Sequence, residues 1–200
     1  MIRIPFIRRG VSMRSLKRLG AFAVFAAAVP IVVLGASAAG AAGPNTSFGF
    51  NARDITGLNA NSGAVTLTGG GAFNSSSTHP AHSGGSFICT STVVVAGNPP
   101  NPPLLNGCQA GEGVRWDSDT LVPIQTFKCE ATEQVANTVS TSDDTVVLHA
   151  DFYRAGDGTE ESFQANMIVS AHDIDNTLAG LQNVWVQGVG CATGAVHFSP

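Results

Sequence analysis

Residues 144–170 read DTVVLHADFYRAGDGTEESFQANMIVS and carry the clearest structural signal in the chain. Asp157-Gly158 is a pair that favours a two-residue type I′ turn, and a loop of that length fixes which residues of the flanking strands face each other. The resulting antiparallel hairpin has one apolar face with a charged pair at its rim: Phe152 and Phe163, Ala150 and Ala165, Leu148 and Met167, Val146 and Val169, and Arg154 and Glu161.

The second face of this hairpin is more polar. It pairs Tyr153 with Ser162, Asp151 with Gln164, His149 with Asn166, and Val147 with Ile168. A shift of one residue would turn every side chain to the opposite face. The turn and the alternation of apolar and polar residues therefore support the same register independently.

The rest of the chain also favours β-structure, because short runs rich in Val, Thr, Phe and Ile are separated by clusters of Gly, Pro, Asn, Asp and Ser. We expect one helical turn at 174–181 and a last strand bent around Gly188 and Gly190. The eight expected strands lie near residues 47–52, 63–73, 85–95, 112–117, 121–130, 144–155, 160–170 and 182–198. This all-β order predicts an antiparallel eight-stranded up-and-down barrel, with a β-sandwich as the alternative. Glycines inside strand-like runs, such as 69–71, favour the barrel because they permit sharp coiling.

A small eight-stranded barrel is similar in shape to lipocalins and other calycins. Lipocalins carry a Gly-x-Trp motif on their first strand. The nearest match here, Gly113-Val114-Arg115-Trp116, has one residue too many and lies in the middle of the chain. The resemblance is therefore one of architecture, and it assigns no binding residue.

The first forty residues have the three parts of a secretory signal peptide. Six basic residues precede an uncharged run over 21–34, and Ala36-Ser37-Ala38 forms an A-x-A cleavage signal. We predict a signal peptide over 1–38, with cleavage after Ala42 as the second choice, a flexible segment over 39–46 and a single domain over 47–200. The alternative is a retained membrane anchor, which the short apolar run and Pro30 disfavour.

Removal of the signal peptide leaves a strongly acidic protein. Six of the ten basic residues lie in the predicted signal and all fourteen acidic residues lie outside it, so the remaining net charge is 4 − 14 = −10. An acidic surface repels phosphate groups, and we therefore expect no nucleic-acid partner and no membrane association after cleavage. The composition, rich in Ala and Gly and poor in Lys, is typical of a bacterial source with GC-rich codons.

The chain has four cysteines, Cys89, Cys108, Cys129 and Cys191. An even number in an exported chain is typical of a disulfide framework. Of the three possible pairings we favour Cys89 with Cys108, which ties the Pro-rich loop to its strand, and Cys129 with Cys191. A zinc site is the alternative, but no C-x-x-C pair is present, so we predict no metal and no cofactor.

The densest polar group that the hairpin register places is His149, Asp151 and Tyr153, which lie across from Gln164 and Asn166. These residue types can perform acid–base chemistry. The solvent-facing side of a half-buried sheet has the same pattern, however, and it is the preferred interpretation. We therefore assign no catalytic residue and lean against an enzyme.

Two acidic segments, Asp117-Ser118-Asp119 and His172-Asp173-Ile174-Asp175, carry oxygen ligands of the kind that Ca²⁺ prefers. Neither has the spacing of a known calcium loop, so turn formation by Asp is the preferred interpretation. Trp116 and Trp185 are candidates for stacking on a ligand, although a buried Trp is more often part of a core.

The sequence favours a secreted, non-enzymatic barrel that binds a small apolar or amphipathic molecule. The candidate ligand-binding residues are Trp185, His149, Asp151 and Tyr153. One alternative is an extracellular structural or interaction module that binds another protein, and the other is a secreted enzyme that uses His149, Asp151 and Tyr153. Ligand binding of this kind requires a cavity, and the hypothesis fails if large side chains fill the barrel interior entirely.

Overall fold

The computed structural model describes residues 45–58, 63–77, 79, 82–94, 107–154 and 161–200, without the side chains of Asp119, Glu161 and Ser162. Over these residues the chain is all-β. The strands, in chain order, are β1 (Thr46–Gly57), β2 (Ala64–Phe73), β3 (His82–Ser91), β4 (Val93–Val94), β5 (Gly107–Cys108), β6 (Arg115–Leu121), β7 (Ile124–Phe127), β8 (Asn137–Ser140), β9 (Thr145–Tyr153), β10 (Glu161–Ser170), β11 (Val184–Val186), β12 (Gly190–Ala192) and β13 (Gly194–Ser199).

Two of the predicted segments lie largely outside the residues that the structure describes. The predicted signal peptide over 1–38 and residues 39–44 of the predicted flexible segment lie outside the described residues. Thr46, at the end of that segment, is the first residue of β1. The described residues all fall within one compact unit. Among them, no helix is long and apolar enough to cross a membrane.

Eight of the described strands close into an antiparallel up-and-down barrel, which confirms the predicted fold. Neighbouring strands follow chain order, β1-β2-β3-β6-β9-β10-β11-β12, and β12 pairs back onto β1. The closing pairs are Thr56 with Cys191 and Gly57 with Gly190. β13 continues along the same side of β1. The pairs β4–β5 and β7–β8 form separate two-stranded sheets.

The β9–β10 hairpin has the predicted register over most of its length, from Phe152 opposite Phe163 to Val146 opposite Val169. Every side chain of the face predicted to be apolar is buried inside the barrel. The period-two pattern therefore identified correctly which face of this hairpin is internal.

The rim of the same hairpin differs from the prediction. Tyr153 faces Glu161, which makes Ser162 an extra residue in a β-bulge. The predicted pairs of Arg154 with Glu161 and of Tyr153 with Ser162 are therefore wrong, because a bulge interrupts the strict alternation on which they depended. The predicted turn at Asp157-Gly158 lies outside the described residues.

The strands predicted at 112–117 and 121–130 are divided differently. β6 continues through a bulge after Asp117, where a turn was expected, and ends at Leu121. In this bulge the Ser118 hydroxyl donates to the carbonyl oxygen of His149 over 2.6 Å, so a backbone acceptor in the interrupted ladder is satisfied. The remainder of the predicted second strand becomes β7, which pairs with β8 outside the barrel.

The bent strand predicted at 182–198 is instead a tight hairpin followed by β13. Gly188 and Gly190 have φ angles of +79° and +136°. The amide of Val189 donates to the carbonyl oxygen of Val186 over 3.0 Å, and the chain reverses between β11 and β12. This hairpin supplies two barrel strands, β11 and β12, where one was predicted. The number of barrel strands therefore remains eight, although the predicted strand at 121–130 is not part of the barrel.

Large side chains fill the interior of the barrel. Phe87, Phe152 and Phe163 pack together, and the rings of the last two stack with centroids 4.5 Å apart. Trp116 is 1% exposed, and its indole Nε1 donates to the carbonyl oxygen of Thr68 over 3.1 Å. A ligand held between the strands would therefore compete with a packed apolar core.

The β7–β8 hairpin covers part of the outer wall of the barrel. Its Phe127 packs on Trp185 with ring centroids 5.5 Å apart, in a second buried cluster that also contains Val147 and Ile168. The Cys129–Cys191 disulfide, with Cα atoms 4.9 Å apart, joins this cluster to β12. The barrel thus has two cores, one inside the wall and one outside it.

Both disulfides have the pairing that the sequence favoured. Cys89 of β3 is bonded to Cys108 of β5, with Cα atoms 6.3 Å apart, and Cys129 is bonded to Cys191. No free cysteine is found in the part of the chain that the structure describes. Two disulfides indicate an oxidising environment of the extracellular type.

Candidate functional site

The predicted polar residues His149, Asp151 and Tyr153 lie along β9 on the outside of the barrel, since their neighbours at 148, 150 and 152 are buried inside it. His149 Nδ1 and Asn166 Oδ1 are hydrogen-bonded over 2.7 Å. The Asn166 amide in turn donates to Gln125 Oε1 of β7 over 2.7 Å. This polar chain joins the barrel wall to the β7–β8 hairpin.

Tyr153 and Asp151 lie in a different environment, next to β6. The guanidinium of Arg115 lies 3.9 Å from the centroid of the Tyr153 ring and forms an ion pair with Asp117. Asp117 is directly opposite Asp151 on the neighbouring strand. Burial, and then the negative charges of Asp117 and Asp151, raise the pKa of Tyr153 above its ordinary value. The phenol therefore remains protonated at neutral pH, with Asp117 beside it as a hydrogen-bond acceptor.

Trp185 belongs to the outer cluster and is 3% exposed. Its indole Nε1 donates to the carbonyl oxygen of Lys128 over 3.0 Å. It lines a shallow groove of about 290 Å³ together with Gln125 and Gln187. The structure thus connects His149 to the neighbourhood of Trp185 through Asn166 and Gln125, whereas Asp151 and Tyr153 face β6.

The side chains of the acidic segment at 172–175 point to separate partners. His172 Nε2 is hydrogen-bonded to Asp144 Oδ2 over 2.8 Å. A hydrogen bond from Ser142, and then the interaction with His172, lower the pKa of Asp144. Asp173 Oδ1 accepts the amides of Asp175 and Gln182, each over 3.1 Å.

These hydrogen bonds explain why the helical turn predicted for 174–181 does not form. The segment consists of turns and bends, in which Asp side chains take up the amide donors that a helix would use. Asp173 thus has the turn-forming role that the sequence analysis preferred. Asp175 is different, because its side chain is completely buried.

A larger groove lies at one end of the barrel and was not identified from the sequence. It has a volume of about 520 Å³, and its lining comprises Thr46, Asn74, Ser75, Ser76, Asp143, Phe198, Ser199 and Pro200. We call it the mouth groove. It lies where β1 begins and where β2 and β13 end. No local motif marks it, because its residues come from four distant parts of the chain.

The mouth groove has an apolar side and a polar side. Phe198 is half-buried and packs on Phe48 and Phe73 with ring centroids 6.0 and 6.2 Å apart, so it connects the groove to the core of the barrel. On the other side, Ser75 donates to Asp143 over 3.2 Å. Both of these side chains are exposed. The groove can therefore contact an apolar group and a hydrogen-bonding group at the same time.

Comparisons of this chain with protein-family models, with curated proteins and with solved structures give no match.

Proposed function

We propose that this protein is an exported, non-enzymatic β-barrel that binds a small amphipathic molecule in the mouth groove. The observation that carries the proposal is the position of the groove. The interior of the barrel is occupied by large side chains, whereas the groove at its end is open and has a volume typical of small-molecule sites.

The lining of the groove suits an amphipathic molecule better than a purely apolar one. Phe198 and Pro200 offer apolar surface, while Asn74, Ser76 and Asp143 offer hydrogen-bonding groups. Asp143 also brings a negative charge, so an uncharged or cationic polar group is preferred over an anionic one. Export is supported by the signal-like first forty residues and by the two disulfides.

A protein-binding role has less support from the exposed apolar side chains. The exposed large apolar side chains of the described residues lie on β3, β4 and β7 and in the segments before β6, β8 and β11, and they are Ile88, Val94, Val114, Ile124, Val135 and Leu181. Isolated exposed apolar residues are common on monomeric proteins. We therefore favour the small-molecule role.

Binding of Nile red, an uncharged amphipathic dye, to the full chain tests this proposal. We expect saturable binding that is weakened at least about tenfold by Ser76→Trp, because a large side chain at this exposed lining position fills the groove. Ser77→Trp is the matched control, since Ser77 is exposed in the same turn but does not line the groove. Dye binding that does not saturate, or that both variants weaken equally, would overturn the proposal.

A further inference from the structure

The two carboxylate oxygens of Asp175 have very different environments. Oδ1 accepts hydrogen bonds from the amide and the hydroxyl of Thr177, over 2.9 and 2.6 Å. Oδ2 is buried and accepts no hydrogen bond from the residues that the structure describes. A buried carboxylate oxygen without a partner is costly, so this atom requires a positively charged or hydrogen-donating neighbour.

The carboxylate of Glu133 lies close to the carboxylate of Asp175. Each of the two groups places an oxygen within 4.8 Å of the other. Glu133 is held in place by its own loop, because its Oε1 accepts the amide of Glu130 over 2.5 Å and its carbonyl oxygen accepts Lys128 Nζ over 2.7 Å. The two carboxylates are therefore fixed by two separate loops.

The surroundings of this pair are negatively charged. With one positive charge from Lys128 and four negative charges from Glu130, Glu133, Asp173 and Asp175, the local charge is 1 − 4 = −3.

We propose that Glu133 and Asp175 bind a divalent cation, and that Ca²⁺ is the best fit. Two oxygens on one Ca²⁺ lie at most about 5 Å apart, and the two carboxylates place oxygens within 4.8 Å of each other, which is close enough for one ion. Cys129 lies in the same cluster, but its sulfur is bonded to Cys191 and offers no thiolate. The available ligands are therefore oxygens, which favour Ca²⁺ over Zn²⁺.

The bound cation links the loop before β8 to the segment between β10 and β11. Asn137 Nδ2 donates to Glu133 Oε2 over 3.4 Å, so the Asn137 side chain lies beside the pair and helps to hold Glu133 in place. Glu133 is partly exposed, so water completes the coordination. The site is separate from the mouth groove. The cation would be a second cross-link between distant parts of the chain, beside the Cys129–Cys191 disulfide.

Calorimetric titration of Ca²⁺ into the full chain, with both disulfides formed and metal first removed by EDTA, tests the proposal. We expect one Ca²⁺ per chain and a Ca²⁺-dependent rise in Tm that equal Mg²⁺ does not reproduce. Asp175→Asn keeps the bonds to Thr177 and replaces Oδ2 by an amide that can donate to Glu133. It should fold, show a higher Tm than the wild type in EDTA, and bind Ca²⁺ at least about tenfold more weakly.

Two further variants make the result specific. Glu133→Gln should also lose Ca²⁺ binding. Glu130→Gln removes an exposed carboxylate of the same loop that is not a ligand, and it should weaken binding by less than about threefold, because an exposed charge contributes little. The proposal is overturned if binding does not saturate by about 10 mM Ca²⁺, or if Glu130→Gln weakens it as much as Asp175→Asn. A wild-type Tm that rises on mild acidification but not with Ca²⁺ would also overturn it, because the carboxylates would then share a proton.

Discussion

Trp116 occupies a space inside the barrel that exists because residue 69 has no side chain. A Cβ atom at Gly69 would lie 2.5 Å from the indole Cζ2 and 2.6 Å from the carbonyl oxygen of Gly84. The run of glycines at 69–71 therefore does more than permit coiling, which was its expected role. It also gives the largest side chain of the interior a surface on which to pack.

Gly69→Ala should therefore destabilise the protein. The added methyl group meets a ring and a backbone oxygen that are both held by the packed interior, and we expect a loss of about 1–3 kcal/mol in the free energy of unfolding. Urea denaturation of the full chain measures it. Gly49→Ala is the control, because the nearest atom to a Cβ there lies 3.9 Å away. Equal losses in the two variants would contradict this account.

At the scale of elements, the β7–β8 hairpin is held on the barrel wall by a cluster and a disulfide together. Phe127 and Cys129 belong to the same buried cluster as Trp185 and Cys191. Cys89–Cys108 has a more local role, because it joins the neighbouring elements β3 and β5. The two disulfides thus close chain segments of 62 and 19 residues.

Removing the two disulfides should have unequal effects. In the chain-entropy model the longer loop gains more from cross-linking, about 4 kcal/mol against about 3 kcal/mol for the shorter one. We expect the double variant Cys129→Ala/Cys191→Ala to lose more stability than Cys89→Ala/Cys108→Ala. The first variant also loses sulfur atoms that pack in the buried cluster outside the barrel wall, which increases the difference. Urea denaturation compares them directly. A larger loss from the Cys89–Cys108 pair would show that chain entropy does not dominate.

Sequence patterns predicted those elements whose partners are adjacent in the chain. The β9–β10 register and the contact of His149 with Asn166 followed from one turn and one alternation. The bulge at Ser162 could not be predicted, because the residues at this end of the hairpin are polar on both faces and an extra residue there does not disturb any apolar pattern. Glu133 and Asp175 were not connected either, since they approach each other only when two loops fold onto the same side of the barrel.

At the scale of the whole molecule, the barrel depends on one short junction between its first strand and its last hairpin. Only two residue pairs join β1 to β12, although β13 extends the contact. At this junction Gly57 and Gly190 face each other, and both have positive φ angles. The β1 backbone approaches Gly190 more closely than a side chain there would allow, so this glycine determines whether the sheet can close.

Gly190→Ala should weaken closure of the barrel. A Cβ atom at this position would overlap the carbonyl oxygen of Thr56 on β1, in addition to the strain of a φ of +136°. Gly180→Ala is the matched control, since Gly180 also has a positive φ, +96°, but has no atom within 4 Å of a Cβ. We expect the control to lose about 1–2 kcal/mol from backbone strain alone, and Gly190→Ala to lose clearly more.

Hydrogen exchange separates loss of closure from general destabilisation. In Gly190→Ala, the amides of β12 and of the end of β1 should exchange faster than those of the β9–β10 hairpin, because the added methyl group strains the pairing of these two strands directly. In Gly180→Ala, protection at the junction should match that of the wild type. Uniformly faster exchange across all strands in Gly190→Ala would mean that the barrel unfolds as one unit and that closure at Gly57 and Gly190 is not a separate step.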